Sequence, residues 1–417
     1  MSFQQGLSGL NATSKNLEVI GNNIANANTY GSKVARAEFS DMYASALSGA
    51  GTNNIGIGTN LSTVAQQFTQ GNISTTENPM DMAIKGAGFF QMTDGQNPIS
   101  YTRNGQFKVN REGFVVNNSG LKLMGYAADS KGVIQPGQAV PMQLPTGGVD
   151  PSATSTVALE MNLDSRKAIT TPAASPLIDF NDAATYNNAT SLTVYDAKGQ
   201  EVPVTYYFQK SATDTWNVFA TANGIPISPD PTDPQPITSI TFAADGSAPT
   251  APAGPVLFDI PLPDNAAPAD TLSLTLDLST ATQFGAGFGV TDQRQDGFSA
   301  GALTSIAVES NGVVMARYSN GQTRPAGQVE LATFRNTQGL QPIGDNGWAR
   351  TYASGDPITG MPNTGGLGLM QSGALEESNI DLTGELVNMI TAQRIYQANA
   401  QTIKTQDQVL QTLVNLR

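Results

Sequence analysis

The stretch from Asp381 to Leu416 constrains this chain more than any other, because one helical repeat runs through it without a break. From Leu382 the positions Leu386, Met389, Gln393, Tyr396, Ala400, Ile403, Asp407, Leu410 and Val414 follow at alternating steps of four and three, which is a heptad seam. Glycine enters only at Gly384 and proline not at all, while Ser378 and Asp381 are residue types that accept the free amides of a helix start. The spacing predicts a helix of about 35 residues, about 50 Å long at ~1.5 Å per residue. Gln393 and Asp407 are polar members of the seam, and in coiled coils such residues fix register and partner number. A seam needs a partner.

A second stripe runs along the other end of the chain. Phe3, Leu7, Leu10, Ser14, Leu17, Gly21 and Ile24 repeat the same steps and predict a helix of about 25 residues. Its intrinsic propensity is poor, since Gly6, Ser8, Gly9, Asn11, Gly21, Asn22 and Asn23 each disfavour helix relative to alanine. Burial of Phe3, Leu7, Leu10, Leu17 and Ile24 returns about 1.5 to 3 kcal/mol each, so this helix is stable only when packed. The pattern fits a hairpin of the two helices inside one fold, or packing between subunits. Two marginal helices at opposite ends of a long chain rich in strand patterns favour the second.

Between the helices the period changes. Residues 29 to 70, glycine-rich around Gly49, Gly51, Gly56 and Gly58, form a partly extended linking segment together with 357–375. From Ile73 short apolar runs at Ile84 to Met92, Tyr101 to Val109, Phe114 to Val116 and Leu121 to Tyr126 are punctuated by Asp94-Gly95, Asn104-Gly105, Glu112-Gly113 and Ser119-Gly120, the pattern of an antiparallel β module. A cluster of proline and glycine from Pro141 to Pro151 marks a boundary. Beyond it Val157-Leu159-Met161-Leu163, Val202-Val204-Tyr206-Phe208 and Leu272-Leu274-Leu276-Leu278 alternate in period two. The proline-rich tract 226–268 is expected to form exposed loops around a short strand, Thr238 to Phe242. Strand patterns resume at Leu303 to Val308, Val313 to Tyr318 and Val329 to Phe334, which implies an insertion. The expected fold is mixed and multidomain: a coiled-coil-like axial helical domain, 1–28 with 376–417; the linking segment, 29–70 with 357–375; an inner, mainly antiparallel β domain, 71–146 with 285–356; and an outer β domain inserted in it, 147–284.

Composition removes most chemistry. The chain has no cysteine and no histidine, which leaves no thiolate, no imidazole base and no zinc site of the usual N/S kind. Its 21 basic and 34 acidic residues give a net charge of −13, unfavourable toward nucleic acid and anionic membranes. Gly297-Phe298-Ser299-Ala300-Gly301 spells a hydrolase nucleophile elbow, but the triad it serves needs a histidine. Gly86-Ala87-Gly88 lacks the helix and acidic residue of a dinucleotide site and reads as a turn or bulge. Asp179 and Asp182 lie in no calcium loop. No catalytic residue, metal ligand or cofactor is expected. An adhesin or sugar-binding module would need aromatics in loops, whereas Tyr206, Tyr207 and Trp216 fall in strand patterns. Neither a cleaved signal peptide nor a membrane span is expected, since no basic segment with an apolar run follows Met1.

Two terminal motifs carry a resemblance. Ser8-Gly9-Leu10-Asn11-Ala12, then Asn22-Asn23-Ile24-Ala25-Asn26 with Thr29, Gly31 and Lys33, is similar to the opening of the bacterial flagellar rod and hook axial protein family. At the other end Gly373-Ala374-Leu375-Glu376, Ser378-Asn379-Ile380-Asp381-Leu382, Ala392-Gln393-Arg394 and Tyr396-Gln397 resemble the closing motif of that family, and 405–417 is most similar to its hook members. Ser32 departs from the pattern, which usually has an aromatic there. The resemblance implies a structural hook subunit, not an enzyme, that assembles with copies of itself into a curved helical tube and transmits motor torque as a flexible joint, with a shorter rod protein as the alternative. It further implies an extracellular place in the flagellum, reached through the flagellar export apparatus, and neighbours in the distal rod, the hook cap and the hook–filament junction.

Overall fold

A computed structural model of the chain describes residues 2–43, 56–129, 132–172, 175–230, 232–262 and 271–415. It divides into two compact units: Met1–Thr146 with Thr304–Arg317 and Thr323–Arg417, and Gly147–Leu303 with Tyr318–Gln322.

In the first unit helix α1, Ser2–Ala25, packs along helix α2, Leu382–Asn415, and beside them strands β1, Ala35–Tyr43, and β2, Gly56–Gln66, pair antiparallel from Ala35↔Gln66 to Tyr43↔Gly56. The helices therefore form a hairpin within the chain, the arrangement that the pattern ranked second. Further on, a sheet runs in the order 303–308, 313–318, 323–329, 122–127, 89–93, 100–102, 347–349, 341–344. Its apolar face buries Phe90, Met92, Leu123 and Leu331 with Phe107 and Met82. A second cluster sets Phe89, Tyr101, Phe334 and Trp348 edge to face.

Two of the expected long strands are each broken in two. Ile84 to Met92 splits into Met82–Lys85 and Phe89–Thr93, because Gly86 and Gly88 adopt φ of 114° and 135° and carry the chain into the left-handed region between them. Tyr101 to Val109 splits into Ser100–Thr102 and Lys108–Val109, with Gly105 so close to Met82 that a Cβ would lie 1.6 Å from its carbonyl oxygen.

In the second unit two sheets enclose one core. One runs 256–261, 271–277, 156–162, 289–295; the other runs 188–195, 201–212, 215–222, 238–242, 249–251. The alternating residues predicted from period two point inward: Val157, Leu159 and Met161 meet Leu272, Leu274 and Leu276 with Val204, Tyr206, Phe208 and Trp216, all 2% exposed or less apart from Leu272 at 6%. Two expectations are corrected here. Residues 285–303 belong to this unit and not to the first, because Gly289–Gln295 pairs antiparallel with Thr156–Asn162. The proline-rich tract is less loop-like than expected: Pro249–Ala251 and Val256–Pro261 are strands, with prolines at strand ends where a missing N–H does no harm, and Phe258 and Ile260 are buried.

Candidate assembly interface

The two terminal helices run antiparallel, with Gly6 facing Ile403, Gly9 facing Asn399 and Asn23 facing Glu385. The stripe that α1 turns toward α2 is therefore Gly6, Gly9, Thr13, Asn16, Ile20 and Asn23, again at steps of three and four but one residue off the apolar stripe. Apart from Ile20, which is buried, these residues are small or polar. A Cβ at Gly6 would sit 3.2 Å from Ile403 Cγ1, and one at Gly9 would sit 2.9 Å from Asn399 Nδ2, so the glycines that weaken the isolated helix are what let the two axes approach. A different face of α1 holds β2: Gln5 Nε2 donates to Gly56 O at 2.7 Å, and Ser8 Oγ both donates to Thr59 O at 3.0 Å and accepts from Thr59 N–H at 2.7 Å.

Below the helices three polar groups, Asn23 and Glu376 buried and Asn379 half-buried, tie the chain ends to the β sheet. Asn23 closes a ring with the backbone of Ala35, accepting its N–H at 3.0 Å and donating to its carbonyl at 2.8 Å. Asn379 does the same between Val34, whose N–H it accepts at 2.8 Å, and Gln67, to whose carbonyl it donates at 2.9 Å. Glu376 lies deepest. Its side chain is 1% exposed; Oε1 accepts from Lys33 Nζ at 2.5 Å and Gly71 N–H at 3.0 Å, and Oε2 accepts from Arg103 Nη1 at 3.0 Å. Arg103 also donates to Gly86 O at 2.8 Å and lies 5.4 Å from the centre of the Phe89 ring. Burial pulls both cations below their ordinary pKa, and the Glu376 carboxylate opposes that shift. Gly31 completes the joint. At φ 73° it donates its N–H to Glu376 O at 2.8 Å, and any Cβ there would lie 2.5 Å from Asn104 N.

At the start of α2, Asp381 Oδ1 accepts from Thr383 N–H at 3.0 Å and is the N-cap, whereas Ser378 Oγ accepts from Ile380 N–H in the turn before it. At the end of α1, Asn26 donates back to Asn22 O at 2.9 Å and Thr29 Oγ1 donates to Asn26 O at 2.6 Å, while Ala25 and Asn22 face outward. Ser32, the departure from the family motif, is buried.

The predicted seams sit elsewhere. Phe3 and Leu7 on α1, and Leu382, Leu386, Tyr396 and Leu410 on α2, are 37% to 54% exposed, while Leu10, Leu17, Ile24, Met389 and Ile403 are half-buried. Of the closing motif Ala392 packs into the hairpin, and Gln393 and Arg394 face outward. The side chain of Val414 lies outside the described residues. Val387, Ile390 and Val409 widen the exposed apolar surface. Sequence reading missed Gly6, Gly9 and Ile20 as the packing stripe and Glu376 and Arg103 as the joint. The available signal was a glutamate in an otherwise apolar and small-residue stretch, Gly373-Ala374-Leu375-Glu376, with no neighbouring cation to pair it locally.

The chemical-looking motifs resolve into backbone structure. The elbow pentapeptide forms an edge: Phe298 exchanges two hydrogen bonds with Ser152 at 3.0 Å each, and Ser299 O accepts from Asn320 Nδ2 at 2.7 Å. Asp179 and Asp182 turn an exposed loop. Trp216 and Tyr206 are fully buried, and Tyr207 packs between Phe180 and Tyr186 at 4.9 Å from each. Among the described residues no cluster of acidic side chains could hold a metal, and no helix is long and apolar enough to cross a membrane.

Four family models match, in chain order: Flagella basal body rod protein over 3–33, Flagellar hook protein FlgE/F/G D1 domain over 83–195, Flagellar basal body protein FlaE D2 domain over 162–298, and Flagellar basal body rod FlgEFG protein C-terminal over 371–416. The chain is 39% identical over 419 residues to Flagellar hook protein FlgE of Salmonella typhimurium and 39% identical over 424 residues to that of Escherichia coli K12, covering 100% of both chains in each case. The crystal structure of Helicobacter pylori flagellar hook protein FlgE2 shares the fold, with a TM-score of 0.51 at 16% identity over 73% of this chain and 100% of that one. Identity at this level along the entire length, together with both terminal motifs, places the chain in the flagellar hook protein FlgE family.

Proposed function

We propose that this chain, a structural component of the flagellum, polymerises into the curved tube of the hook and acts there as the flexible joint that passes torque to the filament. The observation that supports this reading is the apolar stripe left open on the helical hairpin. Phe3, Leu7, Leu382, Leu386, Tyr396 and Leu410 are each 37% to 54% exposed, and copies of the same hairpin are the partners that match their heptad spacing. A contact that repeats without closing on itself yields a helical tube. The hairpin, 1–28 with 376–417, then lies along the tube axis, the segment of 29–70 with 357–375 links it to an inner β domain, and the inserted β unit faces outward. Export through the flagellar apparatus, an extracellular location, and contacts with the distal rod, the hook cap and the hook–filament junction belong to the same reading. Negative-stain microscopy of the concentrated chain tests it. Short curved tubes are expected, and a protein that stays monodisperse at all concentrations overturns the proposal.

A further inference from the structure

At its base, where α1 ends and α2 begins, the hairpin encloses an open groove of about 310 Å³ against the first residues of β1. Its walls are apolar at Val19, Ile20 and Ala392, and its rim carries Asn16, Asn388, Glu385 and Arg36, the last already paired with Glu38 at 2.7 Å, so that Glu385 is the charge left over. That is room for one or two large side chains, at the small end of binding cavities. Among the described residues Glu385 pairs with no cation; it accepts only from the Asn23 and Asn388 amides, at 3.3 and 3.5 Å.

The opposite end of the same hairpin has the complementary properties. The first turn of α1 contains no acidic residue, so the positive end of its dipole has no compensating charge within the helix. Phe3 and Leu7 project from it about half exposed, at 46% and 45%.

We infer that the groove is the socket for the first turns of α1 from a second copy of this chain, with Phe3 entering between Val19, Ile20 and Ala392 and the helix start facing Glu385. Plug and socket lie about 25 Å apart along α1 at ~1.5 Å per residue, so a chain cannot fill its own socket. Each copy instead offers a plug to one neighbour and a socket to another, a head-to-tail contact that never closes. The inference rests on the assembly reading above and specifies which surfaces meet in it.

The chain has no cysteine, which makes cross-linking a clean test. Tubes are grown from parent chain mixed with equal amounts of Phe3→Cys and Asn388→Cys chains, then oxidised. A disulfide requires Cα atoms within about 7 Å, so covalent dimers report the plug in the socket. Dimers from the mixture, and none from tubes carrying either variant alone, are the expected result. Tubes that give no dimer from the mixture, or give as much from one variant alone, overturn the inference while leaving assembly intact. Failure of the parent chain itself to form tubes overturns the assembly reading instead.

Discussion

The inserted β unit and the helical hairpin solve the same problem in opposite ways. In the core strands of the β unit alternate residues are apolar and point into one core, where Val157, Leu159, Val204, Trp216 and Leu274 are fully buried. The hairpin is largely inside out: Gly6, Gly9, Thr13 and Asn23 join Ile20 in its interior, while Leu7, Leu382, Leu386 and Leu410 remain on the surface. A unit that hides its apolar residues is complete alone. One that spends small and polar residues on its own packing keeps apolar surface for partners. The difference teaches that periodicity locates an apolar face but does not say whether that face meets the same chain or another.

The joint between hairpin and sheet gives the largest test of this contrast. Glu376→Ala leaves Lys33 and Arg103 buried without a counter-charge, and breaking a buried pair in this way costs about 3 to 5 kcal/mol. The two tryptophans separate the readouts, Trp348 lying in the first unit and Trp216 in the second. In urea unfolding followed in Trp216→Phe and Trp348→Phe backgrounds, the transition reported by Trp348 should move to lower denaturant while that reported by Trp216 stays. Equal shifts of both would mean that the two units unfold as one and that the contrast is false.

Next in size is the reciprocal change. Leu159→Ala opens a cavity in the β core, and such truncations cost about 2 to 5 kcal/mol. The Trp216 transition should fall by that amount and the Trp348 transition should not. Smaller still is Gly9→Val. Its Cβ would meet Asn399 at 2.9 Å, and overpacking at a tight helix contact costs about 1 to 3 kcal/mol. Faster amide exchange confined to α1 and the C-terminal half of α2 is the expected signature; unaltered exchange would show that the helices do not depend on close approach.

Much of this was legible in the residues. Both helices fall within a residue or two of the predicted limits, since a heptad repeat free of proline leaves little choice, and turns such as Ser119-Gly120, Asn311-Gly312 and Asn320-Gly321 have glycine at φ near 80° as their sequence demands. The packing face was not legible. Its members count as poor helix formers in any local reading, and their value appears only once Ile403 and Asn399 stand opposite. The Glu376 joint was hidden for a related reason: its partners are 343 and 273 residues away along the chain, and no local pattern links them. The boundary near 285–303 was misplaced because Gly289–Gln295 is a polar edge strand, without the apolar alternation that betrays the strands of the core.

The smallest effect on folding should come from Leu410→Asp, and it is the most decisive for the contrast. Leu410 is 54% exposed on α2 and makes no part of the hairpin interior, so a carboxylate there remains solvated in the isolated chain. Substitutions at such sites change stability by about 0.5 kcal/mol or less. In the proposed polymer the same position lies in a seam between copies, where an unpaired carboxylate must be dehydrated at a cost of several kcal/mol or take up a proton. Each subunit repeats the contact, so the penalty recurs at every addition and growth stops. The unfolding transitions of the variant should therefore overlay those of the parent chain, while tubes vanish at neutral pH and return in part as acid protonates the introduced carboxylate. Parent-like tubes at neutral pH would show that the outward stripe is not an assembly seam, and a large loss of folding stability would show that Leu410 supports the hairpin from within.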